Sequence, residues 1–316
     1  MIANNIIRKP GRLGMFVAVS PESAGDVMSS PDGITWTSRT QSSDSTWRSV
    51  CWSPELSLLV AVASGGTKRV TTSPDGITWT DRTQSSDSTW QSVCWSPELS
   101  LLVAVANTGT KRVMTSPDGI TWTDRTQSSD GAWFGVCWSP DLSLFVAVAT
   151  GNATGEQVMT SPDGITWTDR TSASAGYWVS VCWSPELDLF VAVAYGGTGR
   201  VMTSPDGINW TSRTPSASNE WVSVCWSPEL TLFVAVSNSG AQKVMTSPDG
   251  ITWTGRDQSN NNIWNNVCWS PELSLFVAVS DWTNSLTSVM TSPDGITWTD
   301  RTQSHNYDLS SVVWVP

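Results

Sequence analysis

The chain has 316 residues, and its 17 basic and 28 acidic side chains give a formal net charge of −11. The acidic residues recur evenly along the sequence, which predicts a solvated acidic surface and argues against nucleic acid and anionic lipid as partners, because both need basic patches. A single histidine excludes a metal site built from several histidines, and no apolar run reaches the length of a transmembrane helix.

The first 14 residues lie outside any repeating pattern, and we expect them to form a lead-in or adapter. They do not contain a charged segment followed by an apolar one, so no secretory signal is expected. One pattern then continues over residues 15–316, which predicts a single domain, monomeric in itself.

The repeating unit is marked by the tetrapeptide Ser-Pro-Asp-Gly, which occurs seven times at intervals of 43 or 45 residues. In the unit that begins at Trp90, four short runs are bounded by Pro, Gly, Ser or Asn, as is typical of β-strands. These runs are residues 92–95, 101–106, 112–115 and 120–123. Four strands in each of seven units predict an all-β fold, a β-propeller of seven four-stranded blades.

The two ends of the chain carry complementary parts of one unit. The chain enters the pattern on a second strand at residues 16–19 and leaves it on a first strand at residues 311–314. We therefore predict that the C-terminal strand pairs with the N-terminal blade and closes the propeller, which would remove open sheet edges. An open stack of repeats is the alternative, and the matched incomplete ends argue against it.

The aspartate of each Ser-Pro-Asp-Gly turn is predicted to cap the turn by accepting hydrogen bonds from nearby backbone amides. Calcium binding is the alternative, but none of these carboxylates has a cluster of neighbouring acids. The aspartates are Asp32, Asp75, Asp118, Asp163, Asp206, Asp249 and Asp294.

Six cysteines occupy one slot of the repeat, and we expect buried free thiols because their spacing offers no close pair for a disulfide or a metal. The sequence predicts no cofactor, since it also contains no glycine-rich phosphate loop.

The repeats differ mainly in the loops between second and third strands and in the connections between units, which share one face of a propeller. Six connections end in tryptophan, next to short polar residues. Two interpretations are open: a half-exposed indole could carry a sugar, or the indole could be a wedge buried between blades, which is favoured because buried aromatics dominate core energetics. Both interpretations hold if one edge of the indole ring remains exposed in the groove between two blades. The six are Trp47, Trp90, Trp133, Trp178, Trp221 and Trp264.

Two further aromatic residues on this face are candidate contacts for a ligand. Tyr195 lies in a loop between a second and a third strand, and Trp282 occurs once, inside an insertion. Loops on a rigid scaffold are where binding residues usually lie, although loops also tolerate drift without a function.

Ser-Pro-Asp-Gly-Ile-Thr-Trp resembles the Asp box, or BNR repeat, of sialidase-like β-propellers, and the tryptophan-rich pattern is similar to that of bacterial and phage surface propellers, including lectin-like ones. The motif in this chain lacks the residue that the usual Asp box has between Asp and Gly, so a tighter turn is expected. The resemblance implies the propeller fold but no sialidase activity, because Asp boxes occur in enzymes and in non-enzymes. Sialidases gather three arginines on the carboxylate of the substrate, whereas seven arginines here occupy the same slot of each unit and do not resemble that set. They are Arg39, Arg82, Arg125, Arg170, Arg213, Arg256 and Arg301.

These observations predict a non-enzymatic module that binds carbohydrate through loops and inter-blade grooves on one face. A structural or protein-interaction ring of a phage or bacterial surface assembly is the alternative, and a sialidase-type glycoside hydrolase is a further one. The partner would be a glycan or a protein of a virion or cell surface.

Overall fold

The computed structural model describes residues 14–22, 27–151, 155–281, 286–303 and 307–316, and in these ranges it contains 28 β-strands and no helix. The all-β prediction is thereby confirmed. The predicted lead-in, except for Gly14, lies outside the described residues.

The strands follow the chain in groups that repeat the same lengths and spacing. In chain order they are β1 (Met15–Val19), β2 (Val27–Ser30), β3 (Thr37–Arg39), β4 (Trp47–Ser53), β5 (Leu58–Ala63), β6 (Val70–Ser73), β7 (Thr80–Arg82), β8 (Trp90–Ser96), β9 (Leu101–Ala106), β10 (Val113–Ser116), β11 (Thr123–Arg125), β12 (Ala132–Ser139), β13 (Leu144–Thr150), β14 (Val158–Ser161), β15 (Thr168–Arg170), β16 (Gly176–Ser184), β17 (Leu189–Gly197), β18 (Val201–Ser204), β19 (Thr211–Arg213), β20 (Trp221–Ser227), β21 (Leu232–Ser237), β22 (Val244–Ser247), β23 (Thr254–Arg256), β24 (Ile263–Ser270), β25 (Leu275–Asp281), β26 (Val289–Ser292), β27 (Thr299–Arg301) and β28 (Ser311–Val315).

Each group of four forms an antiparallel sheet. Four sheets stand alone as β4–β7, β8–β11, β20–β23 and β24–β27, and a fifth has the order β28-β1-β2-β3. The sheets β12–β15 and β16–β19 are joined by one pairing, Thr150 with Tyr177. In the fifth sheet the pairing of β28 with β1 runs from Met15 opposite Val315 to Val19 opposite Ser311. We call β4, β8, β12, β16, β20, β24 and β28 the first strands and number the other strands of each sheet outward from them.

The middle strands of each sheet are apolar along their whole length because both faces of the sheet are covered. In β9, Leu102 to Ala106 are all fully buried, and in β10 all four residues are buried. The fourth strands are three residues long and carry an exposed threonine and an arginine. A short, charged outer strand protects the sheet edge from pairing with another chain.

Successive sheets pack face to face through clusters of buried apolar side chains. One cluster joins Val103 and Val105 of β9 to Trp133 and Phe145 of the next sheet. Another joins Val277 of β25 to the sheet that contains β1 and β28. Each sheet is therefore held on both faces by its neighbours in the chain, and the hydrophobic core is divided among these interfaces.

The glycine of each Ser-Pro-Asp-Gly turn is part of these interfaces. Gly119 has a φ of +72°, and a Cβ there would lie 2.9 Å from the Cδ2 atom of Leu58 and 3.2 Å from the Cγ2 atom of Val60, both on the preceding sheet. Glycine is thus required for the left-handed backbone and for the close approach of two sheets.

A hydrogen bond also connects most adjacent sheets at the end that carries these turns. The indole Nε1 of Trp95, on a first strand, donates to the carboxylate of Glu55 on the preceding sheet at 2.6 Å. The bond ties the end of one first strand to the turn after the previous one. The same bond is made by the pairs Trp138–Glu98, Trp183–Asp141, Trp226–Glu186, Trp269–Glu229 and Trp314–Glu272.

The predicted fourth strand has to be corrected, because it begins at Thr123 and not at Ile120. The Asp118 Oδ1 atom accepts hydrogen bonds from the backbone amides of Ile120 at 2.8 Å and Thr121 at 2.7 Å, which keeps both residues in the turn. Ile120 is 47% exposed as a result. The corresponding aspartates of the other six turns accept the same pair of backbone amides.

Acidification is expected to destabilise the fold through these turns. Partial burial alone would raise the pKa of each turn carboxyl, but hydrogen bonds from backbone amides and from the turn serine outweigh it and leave the pKa below its usual value, at about 2 for Asp206. A carboxyl whose pKa is lower in the folded than in the unfolded state stabilises the folded state. This stabilisation is complete above the unfolded-state pKa of about 4, and it is lost as the pH falls through the folded-state pKa.

Thermal unfolding measured at several pH values between about 5 and 2 should therefore give a Tm that falls steadily toward the acid end. A Tm that stays constant over this range would contradict the role of the turn carboxylates.

Candidate functional site: a cavity at the loop face

The loops between second and third strands and the connections that lead into first strands lie together at one end of the molecule, which we call the loop face. Hydrogen bonds join the two kinds of segment: the amide of Thr46 donates to the carbonyl of Gly65 at 3.3 Å, and that of Thr198 to Ala175 at 2.9 Å. Because the strands are antiparallel, the Ser-Pro-Asp-Gly turns lie at the opposite end, the turn face.

Each first strand from β4 to β24 has an irregularity near the loop face. In β8, Trp90 is opposite Ala106 and Ser92 is opposite Val105, which leaves Gln91 as an extra residue in a β-bulge. A bulge redirects the side chain of the extra residue. The residues in this position are Arg48, Gln91, Phe134, Val179, Val222 and Asn265, and Ser310 has the corresponding place before β28.

All seven of these side chains line one cavity with a volume of about 320 Å³. The first strands contact one another in sequence order, and β28 contacts both β24 and β4, so the cavity lies where they converge. Tyr195 and Asp281 also line it, each at or near the end of a second strand on the loop face.

The lining has two chemically different sides. Phe134, Val179 and Val222 come from three successive sheets and form an apolar arc. The polar arc is formed by the next four units in order, and its members are Asn265, Ser310, Arg48 and Gln91. A ligand that fits both sides needs an apolar face and a polar edge.

Hydrogen bonds between neighbouring first strands hold the wall of this cavity. The amide of Val93 donates to the Ser49 Oγ atom at 3.3 Å, and the amide of Val312 donates to the Asn266 Oδ1 atom at 3.0 Å. The amides of Val50, Val136, Val224 and Val267 donate to a serine of the neighbouring strand in the same way. The lining residues therefore project from a connected wall and not from free loops, which favours a preformed site.

Tyr195 does not stand alone at the edge of the cavity. Its ring stacks on that of Tyr177, with centroids 5.1 Å apart and ring planes inclined by 21°. Tyr177 is 44% exposed. Burial, together with nearby Tyr177 and Glu220, raises the pKa of the Tyr195 hydroxyl, so this group remains a hydrogen-bond donor at neutral pH.

The six connection tryptophans require a correction, because all of them are completely buried and offer no ring face to a sugar. Trp133, for example, is enclosed by Val103 and Val105 of one sheet and Phe145 of the next. Their complete burial agrees with the interpretation of each indole as a wedge between two sheets. The corrected residues are Trp47, Trp90, Trp133, Trp178, Trp221 and Trp264, and the other candidate, Trp282, lies outside the described residues.

Within the described ranges, the arginines and cysteines considered in the sequence do not gather into a reactive site. The seven arginines of the repeat slot lie on the fourth strands, where Arg125 Nε, for example, donates to the Thr115 hydroxyl of its own sheet at 2.9 Å. All six cysteines are free thiols, and burial raises the pKa of Cys51 to about 12. Among the described residues no group of three or more His, Cys, Asp or Glu side chains could hold a metal ion. A helix suited to crossing a membrane is likewise not found within the described ranges.

The bulge residues were not among the candidate ligand contacts predicted from the sequence. A signal was present, since the slot after each connection tryptophan varies among Arg, Gln, Phe, Val and Asn on strands that are otherwise nearly constant. The sequence alone does not reveal its meaning, because a residue in this slot looks like any other residue of an alternating strand until the pairing register shows the bulge.

No protein-family model matches the chain, and no curated protein matches it. Several solved structures match it in fold. YCF48 from Cyanidioschyzon merolae matches with a TM-score of 0.59 and 16% identity, over 81% of this chain and 84% of that one. A protein from Lactobacillus plantarum matches with a TM-score of 0.69 and 11% identity, over 96% and 99% of the two chains. A chain of the mitotic checkpoint complex matches with a TM-score of 0.65 and 15% identity, over 89% and 87%.

At such low identities this likeness shows the fold alone. The molecule is a β-propeller built from repeated, tryptophan-rich four-stranded blades.

Proposed function

We propose that this propeller has seven blades, closed through the pairing of β28 with β1, and that it binds carbohydrate non-enzymatically in the cavity of the loop face. Its Ser-Pro-Asp-Gly turns act as tightened Asp boxes, which are structural. The observation that carries the binding proposal is the two-sided lining of the cavity, to which each unit contributes one side chain and the seven units together six residue types.

The chemistry of the two arcs suits a sugar ring. The C–H face of a pyranose can lie on Phe134 and Val179, while its hydroxyls reach the amides of Gln91 and Asn265 at the two ends of the polar arc. The Arg48 guanidinium is exposed there, where its Nε atom donates to the Ser64 hydroxyl at 3.0 Å. A volume of about 320 Å³ is at the small end of ligand pockets, which span roughly 300–1,000 Å³, and therefore favours a ligand of one or two sugar rings.

The same lining argues for binding without catalysis. Glycoside hydrolysis usually needs two carboxyl groups on either side of the scissile bond. Asp281 is the single carboxylate among the described residues of the lining. A sialidase would need three arginines together, but Arg48 is the single arginine among the described residues of the lining, and the seven arginines of the repeat slot lie on the outermost strands of the sheets.

Exchanging residues between the two arcs should test this proposal without harming the fold. In Phe134→Gln and Asn265→Val, each new residue is one that another unit carries in the same bulge position. We expect each variant to weaken binding about tenfold, because one loses the apolar platform and the other a hydrogen bond. The measurement is a glycan array on the wild type, followed by calorimetric titration of the best sugar.

Ile120→Ala is the matched control, because Ile120 is exposed on the turn face and should not affect binding. The proposal fails if the wild type binds no sugar on the array, or if the arc variants bind as well as the wild type.

A further inference from the structure

The strands at one side of the cavity extend further than their counterparts. β16 and β17 each have nine residues, whereas the corresponding strands β8 and β9 have seven and six. The extension brings Gly176 opposite Gly197 and adds the pairing of Tyr177 with Thr150 of the neighbouring sheet. The backbone that carries Tyr177 is therefore held from two sides.

The position of the Tyr177 ring depends on glycines in this extension, where a side chain would occupy the same space. A Cβ on Gly196 would lie 2.4 Å from the Cδ2 atom of Tyr177, so the ring lies directly against the backbone at Gly196. A Cβ on Gly197, where φ is +98°, would lie 2.5 Å from the carbonyl oxygen of Ala175. The close approach of the two strands thus depends on both glycines.

The other repeats show that the fold does not need an aromatic pair here. Tyr177 comes directly before a buried tryptophan, and Tyr195 directly follows the residue paired with that tryptophan. In the second unit these two positions hold Thr46 and Ser64, whose hydroxyls are 3.1 Å apart. A short polar pair occupies the same place in that unit, so the needs of the fold do not explain the stacked tyrosines.

We propose that Tyr177, stacked on Tyr195, forms an outer subsite that holds the second sugar of a neutral oligosaccharide whose first sugar occupies the cavity. This inference rests on the proposed function. Tyr195 belongs to the cavity lining, and Tyr177 extends that surface outward by one ring. The outward-facing half of an aromatic ring is a platform for the C–H face of a sugar. Nearby Glu220 and the net charge of −11 disfavour an acidic sugar at this place.

The test compares single sugars with disaccharides on the wild type and on two variants. Tyr177→Thr introduces the residue found in the second unit, and Tyr177→Phe keeps the ring. The probes are glucose with cellobiose, galactose with lactose, and N-acetylglucosamine with N,N′-diacetylchitobiose. For the pair that binds, we expect the disaccharide to bind about five- to tenfold more tightly than the single sugar, as one aromatic contact allows.

In Tyr177→Thr this advantage should vanish while the affinity for the single sugar stays unchanged, and Tyr177→Phe should retain the advantage. If no sugar binds at all, the proposed function fails together with the subsite. If the single sugar binds but the disaccharide gains nothing, or keeps its gain in Tyr177→Thr, only the outer subsite is wrong. Tighter binding of 3′-sialyllactose than of lactose would overturn the preference for a neutral ligand.

Discussion

Replacing Trp133 with alanine is expected to lower the free energy of unfolding by about 3–5 kcal/mol, as is usual for removing a large buried aromatic side chain. Trp133 is fully buried in one cluster with Val103 and Val105 of the preceding sheet and Phe145 of its own sheet, and its Nε1 atom donates to the carbonyl of Ser129 at 3.4 Å. The alanine would leave a cavity at the interface of two sheets, where neither sheet can close it without shifting as a whole.

Denaturant unfolding followed by tryptophan fluorescence measures this loss. Ile120→Ala serves as the control, since an exposed side chain should change stability by no more than about 0.5 kcal/mol. The experiment also separates the two interpretations of the connection tryptophans. A wedge gives a large loss of stability, whereas a sugar platform would give weaker sugar binding with stability intact, and that second result would contradict the packing described above.

Gly119→Ala is expected to lower the free energy of unfolding by about 2–3 kcal/mol. The left-handed backbone at a φ of +72° costs an L-residue about 1–2 kcal/mol. The added methyl group would meet Leu58 at 2.9 Å and Val60 at 3.2 Å on the preceding sheet, and displacing them adds about 1 kcal/mol.

The matched control is Gly151→Ala, because Gly151 has a similar φ of +67° but no atom of the described residues lies within 4 Å of the place where its Cβ would lie. That variant should show the backbone cost alone, about 1–2 kcal/mol. Equal losses in the two variants would show that the turn glycine does not serve the contact between sheets.

The strands were predictable from sequence to different degrees. The bounds of β9 are those expected, because a continuous apolar run between a turn and a loop leaves no other place for it. The fourth strand was misplaced because Ile120 is β-branched and looks like a strand residue, whereas the Asp118 carboxylate holds its amide in the turn. A hydrogen bond between a side chain and the backbone can outweigh such a propensity.

The candidate site was less predictable than the fold. Tyr195 was a candidate because the sequence predicts it in a loop between a second and a third strand, whereas the structure places it within β17 and in the cavity lining. Phe134 and Asn265 were not identified, since their meaning depends on a bulge and on the convergence of strands far apart in the chain.

Taken by itself, the sequence determined the all-β class, the four-stranded repeat and the chemistry of its turns, because these depend on residues close together in the chain. The tertiary structure alone decided which aromatic rings are covered and which face the cavity. Each first strand has side chains directed toward a neighbouring sheet and toward the centre, and only the packing of complete sheets shows which is which. For this reason Trp133 is part of the core, whereas Phe134, the next residue, lines the cavity.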